Sequence, residues 1–272
     1  RGHRAGGCNP GTVNEGLEPF KCYKSESNWT YEVGAKTAWF DERVLFNATL
    51  FFVDWEDLQF RTQFPELGGL STITTNLGNL ESQGAELELT VLATDYLTLS
   101  AAYGYSDPKF VDDQLDFGTS AVCAADIFEF FGTDPCQFNP DNPDPNQTRR
   151  YVNVKGNQLR RTSKNTFNFT ADYEAPLANE WNWYTRWDYR YQSRQFQEQH
   201  NAIWVGGREI VNGRIGISSE NYDLSIWARN LTNDKTPMSA YAFTSDLNNS
   251  DSVTTVVNNE RRRYGITAQV RF

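Results

Sequence analysis

Along this chain, hydrophobic and polar side chains alternate with a period of two in one segment after another. The last nine residues show it plainly. Tyr264, Ile266, Ala268, Val270 and Phe272 fall on one parity, and Gly265, Thr267, Gln269 and Arg271 on the other. Successive side chains of a strand point to opposite faces, so this segment predicts a strand with one greasy and one polar face. The pattern recurs. Ala85, Leu87, Leu89 and Val91 stand against Glu86, Glu88 and Thr90. Leu97, Leu99, Ala101, Tyr103 and Tyr105 stand against Thr98, Ser100, Ala102, Gly104 and Ser106. Phe167, Phe169, Ala171 and Tyr173 oppose Thr166, Asn168, Thr170 and Asp172, and Trp181, Trp183, Trp187, Tyr189 and Tyr191 oppose Asn182, Arg186, Asp188 and Arg190. Further strands are predicted over 29–40, 44–60, 208–218 and 222–231, which makes nine in all.

The connections between these strands alternate in length. Those after the first, third, fifth and seventh strands are short, and those after the second, fourth, sixth and eighth are long. Short turns on one side and long loops on the other mark outer-membrane barrels, in which alternate residues meet lipid and water. Residues 1–28, 107–156 and 232–259 read as long extracellular loops. A structureless stretch as long as 107–156 also argues against a compact soluble domain. In this register Phe272 lies at the periplasmic rim; in outer-membrane barrels generally a terminal aromatic on the lipid-facing parity is associated with the insertion machinery, so Phe272 is expected to act as an assembly signal. The fold class is therefore all-β: a transmembrane antiparallel barrel. Nine strands beginning outside is an awkward count, because single-chain bacterial barrels have an even number. An open sheet would leave unpaired backbone groups in lipid. The missing strands are expected from an N-terminal portion or from another chain.

Composition narrows the classes. The chain has 272 residues, 35 acidic and 25 basic, with a net charge of -10. That balance argues against nucleic acid as a partner. Mean hydropathy is -0.64, and no run approaches the about 18 apolar residues of a membrane helix. Neither fact speaks against a barrel, in which only alternate residues are apolar. The 18 Phe, 13 Tyr and 8 Trp are abundant, whereas one Met and two His leave little material for metal or acid–base chemistry. Trp39, Trp181 and Trp183 lie beside the short turns, where an interfacial aromatic girdle belongs. Arg1 is no plausible start and no signal peptide is present, so the chain reads as a mature piece of something longer. The four cysteines fall into two local pairs, Cys8 with Cys22 and Cys123 with Cys136, in segments rich in Gly, Pro, Asn and Asp. Zinc is the rival reading, but neither pair has metal-type spacing or a histidine cluster beside it. Two loop-stapling disulfides are expected, and with them an oxidising compartment.

Several stretches resemble the C-terminal half of the TonB-dependent outer-membrane receptors. Trp29-Thr30-Tyr31-Glu32-Val33-Gly34-Ala35-Lys36 is similar to the family's SYELGxK strand. Asn47 to Gln59 is similar to its NAALFYxDYxDLQ strand, and Ser82-Gln83-Gly84-Ala85-Glu86-Leu87-Glu88 to SKGxELE. Ala228-Arg229-Asn230-Leu231-Thr232-Asn233 resembles the penultimate strand, and Arg263 to Phe272 the terminal one. Each motif alone is weak; five in order are specific. One departure is the absence of prolines where 156–167 aligns. The resemblance implies a barrel of about 22 strands with a plugged lumen, of which this chain supplies the closing portion; the plug domain is absent from it. It also implies energy-coupled uptake of a scarce solute, a ferric siderophore first, and therefore no enzyme. The implied partners are outer-membrane lipid and lipopolysaccharide, the missing N-terminal barrel and plug portion, the inner-membrane TonB energising complex and a small-molecule ligand. No cofactor is implied. A passive porin or structural barrel is the alternative.

Candidate residues must be weighed against blander roles. Glu86 and Glu88 share one strand face, yet no nucleophile or histidine accompanies them, so a polar lumen wall is the expected role. Arg186, Arg190, Arg214 and Arg229 share the inward parity and could attract an anionic ligand; equally, they could pair with Asp188, Asp223 and a plug. The acidic run 107–116 lacks a calcium-loop pattern and reads as solvated. The basic run Arg261-Arg262-Arg263 either meets lipopolysaccharide phosphates or is a solvated strand end. Phe128, Phe130, Phe131, Tyr241 and Phe243, on loops longer than connection requires, are the candidates for stacking on a flat ligand.

Overall fold

The structure, a computed structural model, describes residues 1–10, 20–63, 72–119, 123, 134–141, 148–244 and 252–271; of 62–63, 241–244 and 252–255 it describes the backbone. All nine expected strands are present: β1 (Glu26–Trp39), β2 (Val44–Glu56), β3 (Leu80–Thr94), β4 (Leu97–Ser106), β5 (Asn165–Pro176), β6 (Asn182–Gln192), β7 (Arg208–Ser218), β8 (Tyr222–Arg229) and β9 (Arg263–Val270). Each pairs antiparallel with its neighbour in sequence, so the sheet is a meander from β1 to β9. Among the described residues the sheet is open: a short strand, Gly2–Arg4, lies along the free edge of β1, and β9 forms the other edge.

Register explains why these residues make one surface. Trp39, Val44, Val91, Leu99, Ala171, Trp187, Gly213, Ala228 and Tyr264 are successive Cα partners across all nine strands. Two residues along, Thr37, Phe46, Leu89, Ala101, Phe169, Tyr189 and Val211 form a second such row. The opposite face carries rows such as Gly34, Thr49, Glu86, Gly104, Thr166, Gln192 and Arg208. Because side chains alternate strictly, a one-residue slip in any pair would mix the faces. The first row also climbs. It starts at Trp39, beside a short turn, and ends at Tyr264, beside a long connection. Such a stagger is what strands tilted around a closed barrel require.

Among the described residues nothing covers the greasy face. Val33 is 69% exposed, Leu50 59%, Ile226 58% and Ile266 74%. Apolar burial is concentrated instead among the connections at one end, where Leu58, Phe60, Leu77, Leu80, Phe110 and Val154 form the largest cluster. An uncovered apolar face of this extent has no place on a soluble monomer and fits a lipid-facing wall. At the short-turn end Trp181 stacks on Tyr222 (6.3 Å between centroids), Tyr173 meets Trp183 at 4.7 Å, and Trp39 is exposed, as a girdle requires. No helix among the described residues is long and apolar enough to cross a membrane.

The connections depart from expectation. Residues 1–28 are not simply loop: besides Gly2–Arg4, a small hairpin joins Gly7–Cys8 to Cys22–Tyr23, and β1 begins at Glu26. The second strand stops at Glu56, short of 60. Asp57 adopts a left-handed backbone (φ 52°), and the chain re-forms as a separate hairpin, Gln59–Gln63 with Thr72–Asn76. The stretch 107–156 is not structureless: Leu115–Asp116, Arg150–Asn153 and Cys136–Phe138 make a three-stranded sheet. Within 232–259, Ser239–Thr244 pairs with Ser252–Val257. These local hairpins satisfy backbone groups that a long loop would otherwise leave to water.

The two-faced sheet makes a direct prediction. Leu99→Arg or Phe169→Arg should destabilise the sheet in lipid by about 2–4 kcal/mol near the bilayer midplane. Ser100→Arg or Thr170→Arg, on the wet face, should cost far less. Folding titrations in lipid vesicles check this, and equal losses for the two sets would sink the assignment of faces.

Candidate functional site

The long connections are laced into one layer over the strand ends. Asn9 holds Thr74 in both directions, Nδ2 donating to its carbonyl and Oδ1 accepting its N–H, each at 2.8 Å. The Lys24 N–H donates to Asn76 Oδ1 (2.7 Å), and Gln59 Nε2 donates to the carbonyls of Ala5 (2.9 Å) and Lys24 (3.0 Å). Asp112 accepts the N–H of Asn79 at 2.9 Å, which ties the connection after β4 to the start of β3. Asn157 and Gln158 exchange hydrogen bonds with Gln199 and Asn201. Short amide side chains serve here because each supplies both a donor and an acceptor to irregular backbone. Two disulfides add covalent ties, Cys8–Cys22 and Cys123–Cys136.

Within this layer lies a cleft of ≈ 580 Å³. Phe20 and Phe117 form one wall, edge to face at 5.1 Å, with Tyr151 continuing from Phe117 at 4.9 Å. Lys24, Asp57, Asn76, Asp112 and Gln114 supply polar groups. Most of these are already engaged: Lys24 pairs with Asp57 at 3.7 Å, and Asn76 Nδ2 donates to the Asp57 carbonyl at 2.6 Å. A mixed wall of this kind can stack on a ring and hydrogen-bond to hydroxyl or carboxylate oxygens. Among the described residues no group of three His, Cys, Asp or Glu could hold a metal. Sequence reasoning passed over this cleft because its residues come from three separate segments, 20–24, 56–79 and 112–117; the cluster of Asn76, Gly78 and Asn79 was the available signal.

Beside the cleft, Asp116 is buried. Its Oδ2 accepts from Gln199 Nε2 at 2.5 Å and its Oδ1 from the Gly118 N–H at 3.0 Å. Burial pushes its carboxyl up to about 6, against the opposing pull of those two hydrogen bonds. Gln199 Oε1 is buried without a partner, and a protonated Asp116, with the amide turned over, would donate to it. His200, also buried, is pushed down to about 4 by burial and stays neutral. The acidic run 107–116 is thus not merely solvated: Asp107 is clasped by Lys109 (2.8 Å) and Lys164 (2.7 Å), and Asp116 is 2% exposed.

The lumen-parity arginines divide. Arg186 pairs with Asp172 (2.7 Å) and Asp188 (3.4 Å), and Arg214 with Asp223 (3.0 Å) and Ser225 Oγ (3.0 Å). Arg229 lies over the Trp227 ring at 5.3 Å. Arg190 stands between Asn168 and Ile210 and makes no ion pair among the described residues. Glu88 accepts from Asn47 at 3.1 Å, as part of a polar wall. Phe128, Phe130, Phe131 and Phe272 lie outside the described residues. Tyr241 and Phe243 lie on the 239–244 strand, whose side chains are likewise outside the description.

The sequence matches the family described as TonB dependent receptor-like, beta-barrel, over residues 4–231. The chain belongs to this family. TonB-dependent receptors are outer-membrane proteins of Gram-negative bacteria, which places the uncovered face of the sheet in lipid. Solved structures agree on the fold. The ferric yersiniabactin uptake receptor FyuA of Yersinia pestis superimposes with a TM-score of 0.69 at 14% identity, over 100% of this chain and 34% of that one. The siderophore receptor PiuA of Acinetobacter baumannii gives 0.59 at 17% identity, over 90% and 28%. BauA, the ferric preacinetobactin receptor of the same species, gives 0.57 at 14%, over 98% and 32%. The chain therefore spans about a third of such receptors, and it is a fragment of the TonB-dependent receptor barrel.

Asp116 carries a pH prediction. Its raised value means that the charged form is the one burial penalises. The loop layer bears no such cost below about pH 4 and a growing cost as the pH rises through 6. Asp116→Asn removes the charge and can donate to Gln199 Oε1. Hydrogen exchange at the Gly118 and Val152 amides should match wild type at pH 4, with the variant better protected at pH 7. Equal protection at pH 7 would contradict the buried-carboxylate account.

Proposed function

We propose that this chain is the C-terminal, closing portion of the barrel of a receptor that captures a scarce solute outside the cell and passes it inward when the TonB complex acts on a plug. The observation that carries this reading is the laced loop layer with its aromatic and amide-lined cleft, set at one end of a lipid-facing sheet. A mere pore needs no such layer. Loops held rigidly on a scaffold are where binding function concentrates. In this reading 1–28, 107–156 and 232–259 face outward, and the short turns and Phe272 face the periplasm, where Phe272 serves assembly. The N-terminal strands and plug complete the barrel.

A ferric siderophore is the proposed substrate. The similar structures named for ferric yersiniabactin and ferric preacinetobactin support that class, and a stacking wall with hydrogen-bonding rims suits a chelate with rings and exposed oxygens. The chain's own part is to anchor in lipid, line the lumen and hold the ligand. Phe128, Phe130, Phe131, Tyr241 and Phe243 are proposed to reach it from the loops, with Arg186, Arg190 and Arg229 attracting anionic groups below. No covalent step is required.

In the full-length receptor, Lys24→Ala with Gln114→Ala should weaken ferric-chelate binding about tenfold, the loss of one or two net hydrogen bonds at roughly 0.5–1.5 kcal/mol each. Deleting 128–131 or 241–243 should weaken it further while the barrel still assembles. Uptake should stop when the proton gradient is collapsed. Uptake that survives uncoupling and is indifferent to the deletions would instead mark a passive pore.

A further inference from the structure

The lipid-facing side of the last strands carries a hollow with a cation at its head. In the row that crosses β6 to β9, Trp187 is partnered with Gly213, Gly213 with Ala228, and Ala228 with Tyr264. The Trp187 ring lies over Gly213, which only a glycine there permits, and the small Ala228 separates that ring from Tyr264. Beneath them Ile215, Ile226 and Ile266 form the next row. The result is an apolar groove of ≈ 570 Å³ on the greasy face. A strand that closed the barrel would pair in the plane of the sheet with the free edge of β9, and would leave this face open.

Arg262 sits at the groove's loop-side end. Its guanidinium lies 5.9 Å from the centroid of Tyr264 and donates to the carbonyl of Leu231 at 3.2 Å, and both of those residues line the groove. Arg262 immediately precedes β9, and its contacts with Tyr264 and Leu231 put it at the groove. Arg263 is taken by Glu260 at 2.7 Å. Arg261 and Arg262 are exposed and form no ion pair with a carboxylate among the described residues. The neighbouring Asp234 is occupied by the N–H groups of Glu209 and Thr236, each at 2.7 Å.

A guanidinium pinned at the head of an apolar groove on a bilayer-facing surface matches a lipid with a phosphate above an acyl chain. We propose that the groove seats one acyl chain of a phosphorylated glycolipid of the outer leaflet, with its phosphate on Arg262 and Arg261. The inference rests on the outward orientation of the loop end, because that orientation puts the arginines in the outer leaflet. Elsewhere on this face the protein meets bulk lipid; here it would hold one molecule.

The test uses the purified full-length receptor in mild detergent, with bound lipid counted by native mass spectrometry. The probes are bisphosphorylated lipid A, its dephosphorylated form and phosphatidylglycerol. Bisphosphorylated lipid A should be retained at least tenfold better than either of the others. Arg261→Gln with Arg262→Gln should reduce that retention about tenfold. Ala228→Phe, which fills the groove and leaves the charge, should reduce it several-fold; Ala228→Leu is the smaller filler should the first fail to fold, as read by heat-modifiable gel mobility. Equal retention with and without phosphates, retention unchanged in both variants, or phosphatidylglycerol held as tightly as lipid A would each overturn the proposal. Labelling of Asp141→Cys on whole cells reports orientation separately. Labelling only after permeabilisation would overturn the outward reading and the leaflet with it, while the detergent measurement would still report whether the arginines and groove hold a phosphorylated lipid.

Discussion

Backbone hydrogen bonding in a medium without water is the constraint on which this structure depends. Every N–H and C=O that enters hydrocarbon must find a partner within the protein, and strands can do this only by pairing on both sides. The register from Trp39 to Tyr264 meets that demand for the seven inner strands of the sheet. It also sorts the side chains, because pairing in this register puts Leu89, Ala101 and Phe169 on one face and Thr90, Ser100 and Thr170 on the other. Among the described residues the two outer edges are the exception.

Much of this was legible in the sequence, because period two is a strong signal when one face is uniformly apolar. All nine strands follow from it, and so does their order, since short turns such as 41–43 and 94–96 force neighbours to pair. What the sequence did not disclose lies where alternation stops. Residues 57–80 contain Leu58, Phe60, Leu77 and Leu80, an apolar set with no period. The structure gathers it with Phe110 and Val154 from distant connections into a small core. No local pattern announces a cluster whose members are nearly a hundred residues apart. Asp116 was misread for a similar reason: a carboxylate in an acidic run looks solvated until its burial against Gln199 is seen.

The layer of connections and the sheet follow different physics. The sheet leaves its apolar groups outside for lipid to cover. The loop layer buries its own and spends amide side chains on irregular backbone. Such a layer can hold a cleft in fixed shape, and one cleft wall, Phe20 with Phe117, joins segments almost a hundred residues apart. Of the four lumen-parity arginines, Arg186 and Arg214 are neutralised by Asp172, Asp188 and Asp223. The four contribute a partly balanced polar wall, with Arg190 and Arg229 making no ion pair among the described residues.

The central claim is that one face of this sheet meets lipid and the other meets water. A nitroxide scan along β5 and β6 in the full-length receptor, reconstituted in bilayers, tests it most directly. Spin labels at 167, 169, 171, 187 and 189 should collide preferentially with oxygen, which concentrates in lipid. Labels at 168, 170, 172, 188 and 190 should collide preferentially with a water-soluble nickel chelate. The ratio should therefore alternate residue by residue. A ratio that stays level along both strands, or that favours nickel at 169 and 187, would contradict the account.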